Sequence, residues 1–420
     1  MNLFDISAIV LTASAIGSFV NHKWIRLPSS IGLLLLAMGL GFAGIFLQKI
    51  GVISNEHIEL FLSSINFNET VFHGMLSFLL FAGSLQINIE DLKSAKLPIA
   101  MTATISTLLS TLMIGLAFFM LANRLGFENI TLLYAMLFGA ILSPTDPIAA
   151  LSIIKKMRAS KKIETIITGE SLFNDGVAIV IFLTIIEILH SNGEAGFAQA
   201  AEFLLLEAGG GIVFGGIIGW IAYRMLLKID DMHVELFIML AVVTGGYTLA
   251  EKLRLSAPLA MVVAGIIIGN HGRSHAMSDH SRIYLDAFWE AIDEILNTVL
   301  FFLIGLEMMV INATAALALL GAACILIALS ARFVSIAIPM LFLKPFYKAR
   351  RGAIIILTWG GLRGALSIAM VLSLQEQSIK AIFLPCIYFV VIFSIAVQGL
   401  TFSKILRKYK MELQSSSNGA

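Results

Sequence analysis

Thirteen apolar runs, each long enough to cross a lipid bilayer, follow one another along the 420-residue chain with only short connections between them. A helix of about twenty apolar residues spans the hydrocarbon layer. It can do so because every backbone N–H and C=O finds a partner inside the segment. The runs fall near 5–22, 29–50, 71–89, 97–122, 130–152, 165–189, 203–227, 233–250, 257–270, 288–311, 313–343, 351–374 and 381–403. The chain is 58% hydrophobic and 13% charged, with a mean hydropathy of +0.93, which excludes a water-soluble globular domain. The expected fold is an all-α polytopic membrane protein of about 13 transmembrane helices.

The positive charges are distributed unevenly over the connections. Of the 28 Lys and Arg, 21 lie in the loops after spans 1, 3, 5, 7, 9 and 11 and in the C-terminal tail, and five lie on the opposite side. Cytoplasmic loops collect Lys and Arg, so the N-terminus is expected outside and the C-terminus in the cytoplasm, which requires an odd number of spans. The first run is preceded by MNLFD, with no basic stretch, and is expected to remain as a membrane helix rather than be removed as a signal peptide. A net charge of +1 supplies no field for nucleic acid. Cys324 and Cys386 lie far apart in apolar runs and suggest neither a disulfide framework nor a thiolate metal site.

Two strings place carboxylates inside these spans: SPTDP at 143–147 and GESLFNDG at 169–176. An ionisable group at membrane depth costs ~2.5–3.5 kcal/mol even on lenient insertion scales, so Asp146, Glu170 and Asp175 mark function. The prolines of SPTDP each remove a backbone donor and break span 5, as in transporters whose broken helices offer carbonyls to an ion. Span 6 reads as an unbroken helix, so Ser171 and Asp175 share one face, and Glu170 and Asn174 share the next. This stripe is made mostly of oxygens, which suit a sodium or lithium ion or a proton better than magnesium or zinc. The structural alternatives are polar glue between helices for the stripe and a proline kink with Asp146 capping the restarted helix for SPTDP. Arg332 and Arg363 are the two cations inside spans. A guanidinium stays charged, so each needs a partner at depth, and Glu170 is expected to form a structural salt bridge with one of them.

Other polar positions carry less. His73 in span 3 is expected to be a hydrogen-bonded structural histidine, and Glu187 and Glu307 lie near span ends. The histidines of HGRSHAMSDH (271–280) suit a loop, and GGGIVFGGIIG (209–219) suits close helix packing. LPSSIGLLLLAMGLG (27–41) resembles LSAPLAMVVAGIIIGN (255–270), seven spans later and therefore inverted across the membrane. The same offset pairs the broken span 5 with span 12, whose centre TWGGLRGAL (358–366) is interrupted by three glycines. Interrupted segments at matching places in two halves point to a transporter's binding site.

With SPTDPIAA, GESLFNDGVAIV, the arginine of span 11 and TWGGLRGALSIAM in view, the chain resembles the NhaP-type sodium/proton antiporters, relatives of the animal sodium/proton exchangers. The resemblance covers nearly the whole length. It implies inverted repeats, two interrupted helices crossing at the ion site, and a homodimer. It also implies a scaffold and dimerisation domain (1–96 and 191–311), an ion-translocating core (97–190 and 312–405) and a short cytoplasmic tail (406–420). Asp175 would take a cation or a proton in turn. Ser171 and the Thr145 carbonyl would help to ligate the cation, Asn174 and Asp146 would stand beside it, and Glu170 would be neutralised by Arg332 or Arg363. Asn-Asp in place of Asp-Asp implies electroneutral exchange of one Na⁺ or Li⁺ for one H⁺. Many members carry a glutamate in span 3, in a string like LLFEAG; here LLFAGSLQ puts Ala82 at that place, so one oxygen donor is expected to be missing. No cofactor is expected, and the location implied is the cell membrane of a prokaryote. The alternatives are K⁺/H⁺ exchange on the same fold, a cation channel or a non-transporting sensor. The chain has no filter-like pore loop, no soluble signalling domain, and no nucleophile–base pair of the kind an intramembrane protease needs.

Overall fold

The computed structural model describes residues 3–50, 74–157, 161–190, 197–272, 277–307, 314–342 and 351–414. Among these residues the apolar runs are helical apart from breaks within two of them, and there is no β-strand. The helices are α1 (Leu3–Val20), α2 (Ser29–Lys49), α3 (Ser77–Leu85), α4 (Ile89–Ser94), α5 (Lys96–Ala103), α6 (Ile105–Arg124), α7 (Leu132–Leu142) and α8 (Ile148–Lys156). They continue as α9 (Lys161–His190), α10 (Phe197–Leu226), α11 (Met232–Ala241), α12 (Tyr247–Lys252), α13 (Ala257–Ile267) and α14 (Asp279–Glu307). The last are α15 (Ala315–Phe342), α16 (Arg351–Gly360), α17 (Ala365–Leu372), α18 (Gln377–Phe393) and α19 (Leu400–Gln414). Six helical segments are long and apolar enough to cross a membrane, and four more are apolar but shorter, among the described residues.

Local chemistry fixes several helix starts. Thr131 caps α7 by accepting from the Tyr134 N–H, Asn88 caps α4 through the N–H groups of Glu90 and Asp91, and Ser256 caps α13, whose first turn holds Pro258. Span 13 is not a plain helix: between α18 and α19 it widens into a π turn at Ser394–Gly399.

Two hydrophobic clusters organise the interior. One gathers buried residues of α3 and α10–α13 with Leu172 and Ile179 of α9 and Leu285 and Trp289 of α14. The other gathers α1, α2, α6–α9, α15–α19 and the later part of α14, from Leu300 to Ile304. In the second cluster Phe118 stacks on Phe138 at 3.8 Å and Phe383 meets both edge-on, which ties α6, α7 and α18 together. Cys324 and Cys386 are buried in this cluster as free thiols. Around the outside, large apolar side chains such as Leu205, Phe237 and Leu326 face outward, where lipid receives them.

Spans 5 and 12 are both broken. Residues 143–147 separate α7 from α8, and 361–364 separate α16 from α17. The two breaks meet backbone to backbone, with the Asp146 N–H donating to the Leu362 carbonyl at 2.7 Å.

α10 lies against α13 through the glycine run. A Cβ on Gly215 would stand 2.7 Å from the Ala260 Cα, and one on Gly219 2.8 Å from the Ala264 Cα, whereas Gly216 has open space around it. Small residues four apart let the two backbones approach. Gly215→Ala should therefore destabilise the protein by about 1–3 kcal/mol through overpacking, while Gly216→Ala should be neutral. Melting of the detergent-solubilised protein checks this, and equal midpoints for the two variants would refute the packing assignment.

Candidate functional site

α9 is unbroken through GESLFNDG, and its 3.6-residue period sorts the polar stripe into two faces. Glu164, Thr168, Ser171 and Asp175 line one side of a cavity of about 570 Å³. Glu170 and Asn174 turn away from it and are buried at 1% and 0% exposure. The other walls are Thr145 and Asp146 of the first break, Gly364 and Ser367 at the second, Gly83 and Gln86 at the end of α3, and Asp293 and Asn297 of α14. Toward its rim stand Lys155 and the ion pair of Lys161 with Asp91, at 2.8 Å. From Lys161 to Asp175 the helix rises about 21 Å, so Asp175 lies deep.

The first break is held to α9 by one amide. Asn174 Nδ2 donates to Thr145 Oγ1 at 2.8 Å, and Asn174 Oδ1 accepts from the Thr145 N–H at 3.4 Å. Thr145 Oγ1 also lies 3.2 Å from Ser171 Oγ. Asn174 thus does not face the cavity; it fixes Thr145, which does. The Asp146 N–H is taken by the Leu362 carbonyl, and Pro147 occupies the N-cap of α8. The Asp146 carboxyl packs on the bare Cα of Gly364, where a Cβ would stand 2.5 Å from Oδ2.

The arginines take separate tasks. Arg332 of α15 pairs with Glu170 at 2.5 Å between Nη1 and Oε1, and its Nη2 donates to the Leu357 carbonyl near the end of α16 at 3.2 Å. Gly361 makes room for that guanidinium, since a Cβ would stand 2.6 Å from Nη2. Arg363 donates through Nη1 to the carbonyls of Ser143 and Pro144, the latter at 2.9 Å, and its own N–H is received by Ser394 Oγ at 2.8 Å. Ser367 Oγ donates to the Ile141 carbonyl at 2.7 Å. Carbonyls freed by the break of span 5 are thereby satisfied by side chains from the second broken span.

Asp293 and Asn297, four apart on α14, are absent from the sequence-based set of site residues although they lie in the cavity wall. Their one signal is an acid and an amide at i, i+4 inside span 10, masked by the charged start of the same helix. Ala82 is fully buried and is not part of the cavity wall; its neighbour Gly83 is. His73 and His275 lie outside the described residues. His271 and His280 pack edge-on against Tyr223 and Tyr284. No group of three His, Cys, Asp or Glu side chains capable of holding a tightly bound metal occurs among the described residues.

What remains at depth is a set of oxygens: two carboxylates, two hydroxyls and the carbonyl-bearing backbone of a broken helix. Such donors suit a hard, weakly held cation and also a proton, which competes for the same carboxylate.

The profile of the transmembrane sodium/hydrogen exchanger family matches residues 9–408. The chain is 41% identical to the Na(+)/H(+) antiporter NhaP of Pseudomonas aeruginosa, with 100% of both chains covered. It is 32% identical to the Na(+)/H(+) antiporter NhaH of Halobacillus aidingensis over 96% of this chain and 97% of that one. In fold it is similar to the sodium proton antiporter MjNhaP1 of Methanocaldococcus jannaschii at pH 8, with a TM-score of 0.76 and 18% identity, covering 97% and 99% of the two chains.

Removing one partner of the buried Glu170–Arg332 pair leaves an uncompensated charge, at a typical cost of ~3–5 kcal/mol. Glu170→Gln and Arg332→Ala should each lower the melting midpoint, and the double variant should lose less than the two losses combined. Glu170→Gln with Arg363→Ala should be closer to additive. Strict additivity for Glu170 with Arg332 would exclude the pair as a stabilising unit.

Proposed function

The chain belongs to the sodium/hydrogen exchanger family, and on that premise we propose that it is a Na⁺/H⁺ antiporter that carries Na⁺ or Li⁺ one way and H⁺ the other by alternating access. The observation that carries the reading is a deep cavity ending at Asp175, beside Ser171, Thr145 and Asp146, where two broken spans cross. K⁺/H⁺ exchange, a channel and a sensor have no such support, since the curated relatives named above are Na(+)/H(+) antiporters.

Asp175 is the shared carrier in this reading. A cation held by the Asp175 carboxylate, Ser171 and the Thr145 carbonyl excludes a proton from the same carboxylate, and protonation releases the cation. Asn174 carries no charge and is occupied by Thr145, so one cation is exchanged for one proton. The Lys/Arg-rich connections support a cavity rim, with Lys155 and Lys161, that opens on the cytoplasmic side of the cell membrane. The core (97–190 and 312–405) then moves against a scaffold (1–96 and 191–311) through which two copies pair. No resident cofactor enters the scheme.

Asp175→Asn should abolish Na⁺-driven proton movement in proteoliposomes while the purified protein melts normally; wild-type flux from folded Asp175→Asn would overturn the assignment. In the wild type the apparent Na⁺ affinity should fall as pH falls, because protons occupy Asp175, and the acid limb of the rate profile should move to lower pH as Na⁺ is raised. An acid limb that stays put between low and saturating Na⁺ would replace competition with a separate pH sensor. Clamping the membrane potential with valinomycin and K⁺ should leave the exchange rate unchanged, and a clear voltage dependence would exclude one-for-one exchange.

A further inference from the structure

The cavity wall is more acidic than the protein as a whole. Five acids (Asp91, Asp146, Glu164, Asp175 and Asp293) and two lysines (Lys155 and Lys161) line it, in a chain of net charge +1. Asp91 is paired with Lys161 at the rim, and Asp146 and Asp175 belong to the crossing. Asp293 lies on α14, outside both groups, with Asp146 of the crossing near it. It projects from α14, a helix that contributes to both hydrophobic clusters, between Trp289 in one and Leu300 in the other. Asn297 Nδ2 donates to its Oδ1 at 3.2 Å and to its backbone carbonyl at 2.9 Å, which holds the carboxyl in place. The charged groups around it are Asp146 from the first break, Lys155 from α8 and Glu294 on its own helix. No ion pair reaches Asp293 among the described residues.

We propose that Asp293, fixed by Asn297 on the wall facing the broken helices, sets the apparent cation affinity of the cavity without itself belonging to the ion-binding site. A carboxylate fixed in the low-dielectric wall of a wet cavity raises the local concentration of cations. It stabilises an arriving Na⁺ or Li⁺ before the ion exchanges its water for the oxygens around Asp175. Lys155 opposes this field. Because Asp293 does not touch the cargo at Asp175, it governs how much cation is needed and leaves the maximal rate alone. That separates it from a residue that merely holds α14 in place, whose loss would lower the amount of working protein at every cation concentration.

The inference rests on the antiport reading above, and the test keeps the two apart. Na⁺-driven proton movement is measured in everted membrane vesicles for the wild type, Asp293→Asn, Asp293→Glu and Lys155→Gln, at low ionic strength and in about 0.3 M choline chloride, where the Debye length is near 6 Å. Asp293→Asn should raise the KM for Na⁺ roughly fivefold at low ionic strength with kcat unchanged, the size expected for one unit charge acting through a partly wet medium. The difference should shrink in high choline, Asp293→Glu should restore a near wild-type KM, and Lys155→Gln should lower it. An unchanged KM in Asp293→Asn, a loss confined to kcat, or a KM change that salt leaves untouched overturns this inference while the antiport reading stands. Wild-type vesicles with no Na⁺-driven proton movement overturn both.

Discussion

A helix broken at membrane depth leaves backbone groups with no water to receive them, and most of the unusual residues in this protein answer that constraint. The Asp146 amide and the Leu362 carbonyl satisfy each other where the two breaks meet. Ser367 reaches back to Ile141, and Arg363 covers Ser143 and Pro144. Each orphaned group would otherwise cost several kcal/mol in hydrocarbon. Glu170 is then best understood as the counter-charge that lets Arg332 stay at depth, and Gly361 as the space its guanidinium needs.

Once the breaks are secured, the position of the oxygens follows. Asn174 ties Thr145 to α9 through both ends of its amide, which brings the first break against the face that carries Ser171 and Asp175. Gly364 lets the Asp146 carboxyl lie against the second break. The cavity is the space left between this crossing, α3 and α14. Its floor is built from helix ends tied together by these hydrogen bonds, and its depth runs along α9 from Lys161 to Asp175.

The helical architecture and the two breaks are legible in the sequence because they rest on periodicity, length and proline or glycine chemistry, all of which are local. Helical periodicity alone also separates Ser171 and Asp175 from Glu170 and Asn174. Three things are not legible there. Which arginine meets Glu170 depends on how α15 and α16 pack on α9, and the two partners stand 162 residues apart in the chain. The turning of Asn174 toward Thr145 depends on the crossing itself. Asp293 and Asn297 are hidden because α14 has an amphipathic, charged first half, where an acid reads as interfacial, and only the approach of the broken helices turns that surface into a wall.

The balance of formal charges at the crossing has a bearing on tightness of coupling. Glu170 and Arg332 cancel, and Arg363 offsets an ionised Asp146, so under the assignment of Asp175 as carrier proposed above the cluster is neutral whenever Asp175 holds a proton or a monovalent ion. With Asp175 bare the cluster holds one uncompensated negative charge, and enclosing such a charge away from water is strongly unfavourable. An unloaded carrier therefore meets an electrostatic barrier to reorientation that a loaded one escapes. On that proposal slippage, in which the empty protein flips and dissipates one gradient without using the other, would be suppressed by the same guanidinium groups that stand at the broken helices.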